Sequence, residues 1–199
     1  PCHSRIRQIT YLRQRTGAMK KTALVVLTDG FEEIEAITPI DLLRRAETEV
    51  TVASAAESVE VTGKTGVNLR ADALLDACLE KEYDLLVLPG GPGVFALRQD
   101  ARVIDLIRCR VEGDLPVAAI CAAPLLLLDA GVLEGKTHTA HGTVADELPD
   151  MQEDVEVVDD FPLITSRGPG TSLAFGLALV RLLHGEEIAS QIAGEIHGD

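Results

Sequence analysis

Cys121 stands where a thiol could do covalent chemistry. From Leu115 to Leu128 the chain reads as a short apolar strand, one cysteine, then an apolar helix with Pro124 in its first turn. Proline suits that place, because the N–H it lacks would have had no helical partner. A cysteine on such a strand-to-helix turn is exposed, and the positive end of the helix favours its thiolate. Three carboxylates, Glu32, Glu33 and Glu35, follow an earlier apolar strand. Glu32 and Glu33 read as solvated first-turn acids. Glu35 lies among Ile34, Ala36 and Ile37, where an idle carboxylate would be expensive to bury. Held against Cys121, it would exchange a proton with the thiol or orient it.

Other groups compete for roles around that pair. Gly90-Gly91 follows an apolar strand. Glycine there either makes a plain turn or brings backbone N–H groups close to a ligand. His138 and His141 flank a predicted strand over Thr137–Ala140 and point to opposite faces of it, so joint metal ligation is not expected. His141, at the end of that strand, is the candidate for acid–base work beside Cys121. Gly168-Pro-Gly-Thr-Ser172 opens a helix but lacks the lysine and spacing of a phosphate-binding Walker loop. The four cysteines show neither a CxxC pair nor zinc spacing. Cys78 and Cys109, on helical segments, read as packing residues.

These groups need a scaffold, and the pattern from Thr22 onward supplies one. Ala23–Leu27, Val50–Ala53, Asp84–Leu88 and the run before Cys121 are apolar stretches of buried-strand length. Helices are expected from Thr38-Pro39 through Arg45, over Leu74–Glu80, around Val94–Arg98 and Val103–Val111, and after Pro124, Ser172 and Glu186. Val59–Leu69 reads as an edge hairpin, and Val155–Val158 and Leu163–Thr165 as further strands. Strands alternating with helices predict a single α/β domain: a doubly wound, mostly parallel sheet with helices on both faces. Its ligand crevice lies at the carboxyl ends of the strands, where Asp29–Glu35, Pro89–Gly93 and Cys121 all fall.

Composition narrows the class. In 199 residues, 46 % are hydrophobic and only 3 % aromatic, so Val, Leu, Ile and Ala must fill the core. The formal charge of −14 argues against nucleic acid or an anionic membrane as partner. It also suits a salt-adapted host. No segment is long and apolar enough to span a bilayer, and a reduced, cytoplasmic setting is the default for these cysteines. Residues 1–18 carry four arginines and no acid, and end before Met19. They read as an extension outside the fold, with residues 19–199 as the domain.

The ordered segments Gly30-Phe-Glu-Glu-Ile-Glu35, Thr38-Pro-Ile-Asp-Leu-Leu-Arg-Arg45, Tyr83-Asp-Leu-Leu-Val-Leu-Pro-Gly-Gly91, Ala118-Ala-Ile-Cys-Ala-Ala-Pro124 and Thr165-Ser-Arg-Gly-Pro-Gly-Thr-Ser172 resemble the ThiJ/PfpI superfamily. Within it they resemble the branch of the Parkinson-disease-associated protein deglycase and YajL-type bacterial relatives. The resemblance implies a flavodoxin-like, class I glutamine amidotransferase-like fold with a nucleophile elbow at Cys121. It implies Cys121 as nucleophile, Glu35 as the acid hydrogen-bonded to it, and Gly90, Gly91 and the Ala122 amide as the anion-stabilising pocket. His141 falls near the family's histidine, and Arg45 matches a position that approaches a neighbour's site in a homodimer.

The implied activity is cofactor-independent and metal-free: conversion of methylglyoxal to lactate, or deglycation of early adducts, on a small aldehyde or glycated substrate. The alternative is a redox-sensing, chaperone-like protein that uses oxidation of Cys121. A cysteine peptidase or amidase fits less well. Ala122 replaces the histidine that follows the cysteine in the peptidase-like branch.

Overall fold

In the computed structural model, residues 20–198 are described. The first strand, β1 (Thr22–Leu27), is buried at every position but its first, as a strand covered on both faces must be. The other strands are β2 (Glu49–Ser54), β3 (Glu60–Thr62), β4 (Asn68–Arg70), β5 (Ala73–Leu74), β6 (Leu85–Leu88), β7 (Val117–Ile120), β8 (Val157–Asp160) and β9 (Leu163–Ser166). Seven of them form one sheet in the order β5-β2-β1-β6-β7-β9-β8. All its pairings are parallel except that of β8 with β9. The helices are α1 (Glu33–Arg45), α2 (Val94–Leu97), α3 (Ala101–Glu112), α4 (Pro124–Asp129), α5 (Ser172–His184) and α6 (Glu186–Glu195). Leu42 and Leu43 of α1 pack with Phe175 and Leu179 of α5 and Ile192 of α6 on one face. Val94, Leu97, Val103, Ile107 and Leu125–Leu127 of α2, α3 and α4 fill the other.

The strand order reverses between β1 and β6, whose outer neighbours are β2 and β7. Chains leaving the carboxyl ends of these two strands diverge and open the crevice expected at such a switch point. At the opposite end of the sheet, Arg110 is 6 % exposed and donates to the carbonyls of Tyr83 and Pro116, each at 3.0 Å. It thereby ties the entries to β6 and β7, and burial pushes its guanidinium down to about 10.

Four expectations change. Helix α1 starts five residues before Thr38, because the Glu32 side chain accepts from the Glu35 N–H; glutamate is not a usual cap residue, so this start leaves little signature. Pro39 therefore lies inside the helix, at its crossing with α5. A Cβ on Gly176 would lie 3.4 Å from Pro39 Cα and 2.5 Å from Leu42 Cδ1. The Leu74–Glu80 helix is a single 3-10 turn, Leu75–Ala77. Its predecessor Ala73–Leu74 is drawn out by pairing with β2, leaving too few residues to nucleate an α-helix. Thr137–Ala140 forms no strand, since β9 already has β7 on one side and β8 on the other. That segment hangs instead on Thr139 N–H to Thr165 Oγ1 at 2.9 Å. The Val59–Leu69 hairpin forms as β3–β4, but as a separate two-stranded sheet. The extension read over residues 1–18, and Met19, lie outside the described residues.

Candidate active site

Cys121 has φ +67, a left-handed conformation that costs a side-chain-bearing residue about 1–2 kcal/mol. The turn is over-determined: Cys121 N–H donates to Ser166 O, and His141 N–H donates to Cys121 O, both at 2.9 Å. Following β7 directly, the residue packs against both core layers and is half-buried. This is the geometry of a nucleophile elbow.

Glu35, in the first turn of α1, is fully buried. Its Oε2 accepts from Gly90 N–H at 2.9 Å. Its Oε1 has no other donor among the described residues, and the carboxyl and the Cys121 thiol act directly on each other. Gly90 permits the approach: a Cβ there would lie 2.6 Å from Glu35 Oε2 and 2.7 Å from Cys121 Cβ. Burial, with the Glu32 carboxylate adding to it, pushes the Glu35 carboxyl up to about 7, against the Cys121 hydrogen bond, the Gly90 amide and Lys64. Burial, then the charge of Glu35, pushes the Cys121 thiol up to about 12, opposed by the Gly91 and Ala122 amides.

The thiolate expected from the helix end is thus opposed by its surroundings. The six-residue α4 does not offset burial beside a carboxylate. The two groups titrate as a pair. Moving the thiol proton onto Glu35 removes the carboxylate's repulsion and leaves the two amides facing a thiolate. A carboxyl near 7 can both hold a proton and release it at neutral pH.

The glycine pair divides its work. Gly90 N–H is committed to Glu35, whereas Gly91 N–H and Ala122 N–H are turned to the sulfur. Gly91 adopts φ +98, and a Cβ on it would meet the Gly30–Glu32 backbone. His141 lies across the site. Its Nδ1 accepts from Thr143 N–H at 3.2 Å and faces the Thr143 hydroxyl at 2.9 Å, so the neutral ring carries its proton on Nε2. A Cβ on Gly168 would sit 3.1 Å from His141 Cδ2 and 3.9 Å from Glu35 Oε1. Gly168 therefore borders both the ring and the carboxyl. His138 is turned away, 6 % exposed, with Nδ1 on Lys136 O at 3.1 Å.

Over residues 21–182 the sequence matches the DJ-1/PfpI family. The chain belongs to that family. It is 41 % identical over 190 residues to Protein DJ-1 homolog B of Arabidopsis thaliana, covering 93 % of this chain and 43 % of that protein. It is 35 % identical over 163 residues to Deglycase TK1284 of Thermococcus kodakarensis, covering 80 % and 98 %. The crystal structure of Drosophila melanogaster DJ-1beta matches it with a TM-score of 0.87 at 38 % identity, covering 89 % of this chain and 98 % of that one. The chain spans less than half the length of the Arabidopsis homologs A and B.

In this DJ-1/PfpI chain the remaining residues sort clearly. Arg45 is exposed at the far end of α1, paired with Asp41 at 2.7 Å. It lies ten residues from Glu35, about 15 Å along the helix, and no part of it enters this chain's own site. Glu32 and Glu33, expected as solvated acids, are not idle. Glu32 is 4 % exposed and caps α1, with Lys64 Nζ 4.0 Å from its Oε1. Glu33 Oε1 accepts from Thr65 N–H at 2.7 Å and from the Thr65 hydroxyl, clamping the β3–β4 turn beside the site. Gly168 reads in the sequence only as part of a helix-opening loop, and Lys64 carries no signal there, because nothing local marks a turn as the wall of a distant site. Cys121 and Cys78 are free thiols, Cys78 sealed in the core. Among the described residues no helix is long and apolar enough to cross a membrane.

Proposed function

We propose that this chain is a cofactor-independent cysteine enzyme that converts reactive dicarbonyls such as methylglyoxal to 2-hydroxy acids, and that takes early adducts of such aldehydes with amines or thiols through the same steps. The observation that carries this reading is the buried Glu35 carboxyl, near 7, placed against the Cys121 thiol. It supplies a base for the nucleophile and a proton carrier for the later steps. A 35 % identical relative is named a deglycase, which supports aldehyde adducts as the substrate class.

Cys121 Sγ adds to the aldehyde carbon while its proton passes to Glu35. The aldehyde oxygen becomes negative beside the Gly91 and Ala122 amides, then takes that proton back from Glu35 to give the hemithioacetal and free the carboxylate again. Glu35, assisted by His141, removes the hydrogen on that carbon as a proton, forming an enediol. The proton returns to the neighbouring carbon, leaving a thioester of lactate. Water cleaves the thioester, releasing lactate and restoring the thiol. One carbon is oxidised as its neighbour is reduced, so the electrons balance within the substrate. For an amine or thiol adduct, the amine or thiol leaves as Sγ takes over the carbon. The proposal includes a cytoplasmic homodimer in which Arg45 approaches the partner's site.

The redox-sensing alternative uses the same thiolate, formed by proton transfer to Glu35 and oxidised by peroxide in place of aldehyde addition. It ranks second because a 35 % identical relative is named a deglycase. Lactate formation from methylglyoxal by the wild-type chain and Cys121→Ser tests the proposal. Serine, a far weaker nucleophile in this place, is expected to lower turnover at least about a thousandfold. Equal turnover in the two proteins would end the assignment. Peroxide oxidation confined to Cys121, with no dicarbonyl turnover, would favour the sensor.

A further inference from the structure

Three segments leave the site, from Gly91, Cys121 and His141, and one guanidinium ties their far ends together. Arg98 caps α2, seven residues after Gly91. Asp129 closes α4, eight residues after Cys121. Glu147 lies beyond the 3-10 turn Gly142–Val144, whose N-cap is His141. Arg98 Nε and Nη2 donate to Asp129 Oδ2 and Oδ1 at 2.7 and 2.9 Å. Arg98 Nη1 and Nη2 donate to Glu147 Oε1 and Oε2 at 2.9 and 2.8 Å. Each carboxylate is thus held by two parallel bonds, the geometry that fixes orientation as well as distance.

The arrangement differs from an ordinary surface ion pair. The side chains of Arg98 and Asp129 are only 18 % and 26 % exposed, and two acids converge on one cation. Without Arg98 those two carboxylates would face each other uncompensated. The turn from His141 to Leu148 has mostly local backbone bonds of its own: Val144 to His141, Ala145 to Gly142, and Glu147 and Leu148 to Val144. Its long-range backbone tie is His141 N–H to Cys121 O. Buried Val144 and Leu148 set its depth, but apolar burial is non-directional. The Arg98 grip on Glu147 supplies the missing direction.

We propose that Arg98 is a positioning residue for this site: by tying Glu147 to α2 and α4, it holds the 141–147 turn so that the His141 ring stays at Gly168 beside Glu35. The proposal rests on the proton-carrying role given to His141 under the proposed function. Ground-state access to Cys121 depends instead on its own N–H bond to Ser166 O and on the Gly91 and Ala122 amides, none of which Arg98 touches. Loss of the tie should therefore separate proton transfer from thiol reactivity.

The test uses the full chain with Arg98→Ala, His141→Ala and the double variant. Glu147→Gln breaks the same tie from its exposed end should Arg98→Ala fold poorly. Amide hydrogen exchange is expected to speed up over residues 141–147 while β7 and β9 keep their protection. Methylglyoxal turnover is expected to fall about tenfold, with no further fall when His141→Ala is already present. Alkylation of Cys121 by iodoacetamide should stay within about twofold of wild type, a split that general loosening would not produce. Unchanged exchange over 141–147 overturns the proposal, as does a turnover loss additive with His141→Ala or matched by the alkylation loss. A wild-type chain without methylglyoxal turnover would defeat the functional reading, while the exchange measurement still decides whether Arg98 holds the turn.

Discussion

Glu35→Gln is expected to leave the protein nearly inactive and, above pH 7, more stable than wild type. The amide keeps the shape of the side chain, and its oxygen can still accept from Gly90 N–H, the 2.9 Å bond that Oε2 makes now. What it loses is the base, a deficit of about 10²–10⁴ in turnover for a positioned proton acceptor. The stability gain comes from burial. Glu35 is raised from an ordinary 4.5 to about 7 in the folded chain, so between those values the folded state holds a proton that the unfolded state has released. Its contribution to stability is complete below the unfolded value and is lost as pH rises through about 7. At about 1.4 kcal/mol per pH unit, ionising this buried carboxyl costs about 3 kcal/mol. Glutamine has no such ionisation to undergo. Chemical denaturation at pH 4 and pH 8 should find the variant level with wild type at the lower pH and about 3 kcal/mol ahead at the higher. Wild-type turnover should rise with pH through about 7 and the residual turnover of the variant should not. Equal stability at both pH values, or retained activity, would contradict the assignment of Glu35.

Gly90→Ala is expected to damage both stability and chemistry. The new Cβ would stand 2.6 Å from Glu35 Oε2, 2.7 Å from Cys121 Cβ and 2.8 Å from Ile120 O. None of the three can yield easily: one is backbone, one belongs to the elbow, and one is the carboxylate that Gly90 itself holds. Overpacking of this kind costs about 1–3 kcal/mol. Relief by separating Glu35 from Cys121 would break the proton transfer, so turnover should fall at least about a hundredfold. Gly170→Ala is the matched control, since nothing lies within 4 Å of a Cβ there. A denaturation midpoint and turnover for Gly90→Ala as close to wild type as those of Gly170→Ala would show that the contact at Gly90 is not needed.

How far the site was legible in the sequence depended on how local each cause is. The elbow at Cys121 is written in consecutive residues, Val117 to Pro124, and the buried setting of Glu35 in its apolar neighbours. Parallel strands such as β1 and β6 were readable because two-sided burial forces continuous apolar runs. The upward push on the Cys121 thiol was not readable, because it depends on how deeply two segments 86 positions apart in the chain bury each other. The start of α1 was missed because a glutamate performs the capping. Thr137–Ala140 has the composition of a strand, but both sides of β9 are already paired. Glu33 on the Thr65 turn, Gly168 beside His141 and Glu35, and Arg98 on Asp129 and Glu147 are all long-range meetings. No spacing in the chain announces them.

Covalent turnover at Cys121 is the step on which the proposed chemistry depends. Wild-type protein mixed with methylglyoxal, acid-quenched over time and analysed by intact mass and peptide mapping, should show an adduct on the peptide that carries Cys121. That adduct should form and decay at rates that account for lactate release, and it should be missing from Cys121→Ser. Lactate appearing while Cys121 stays unmodified, or an adduct on Cys121 that never turns over, would contradict covalent catalysis by this thiol.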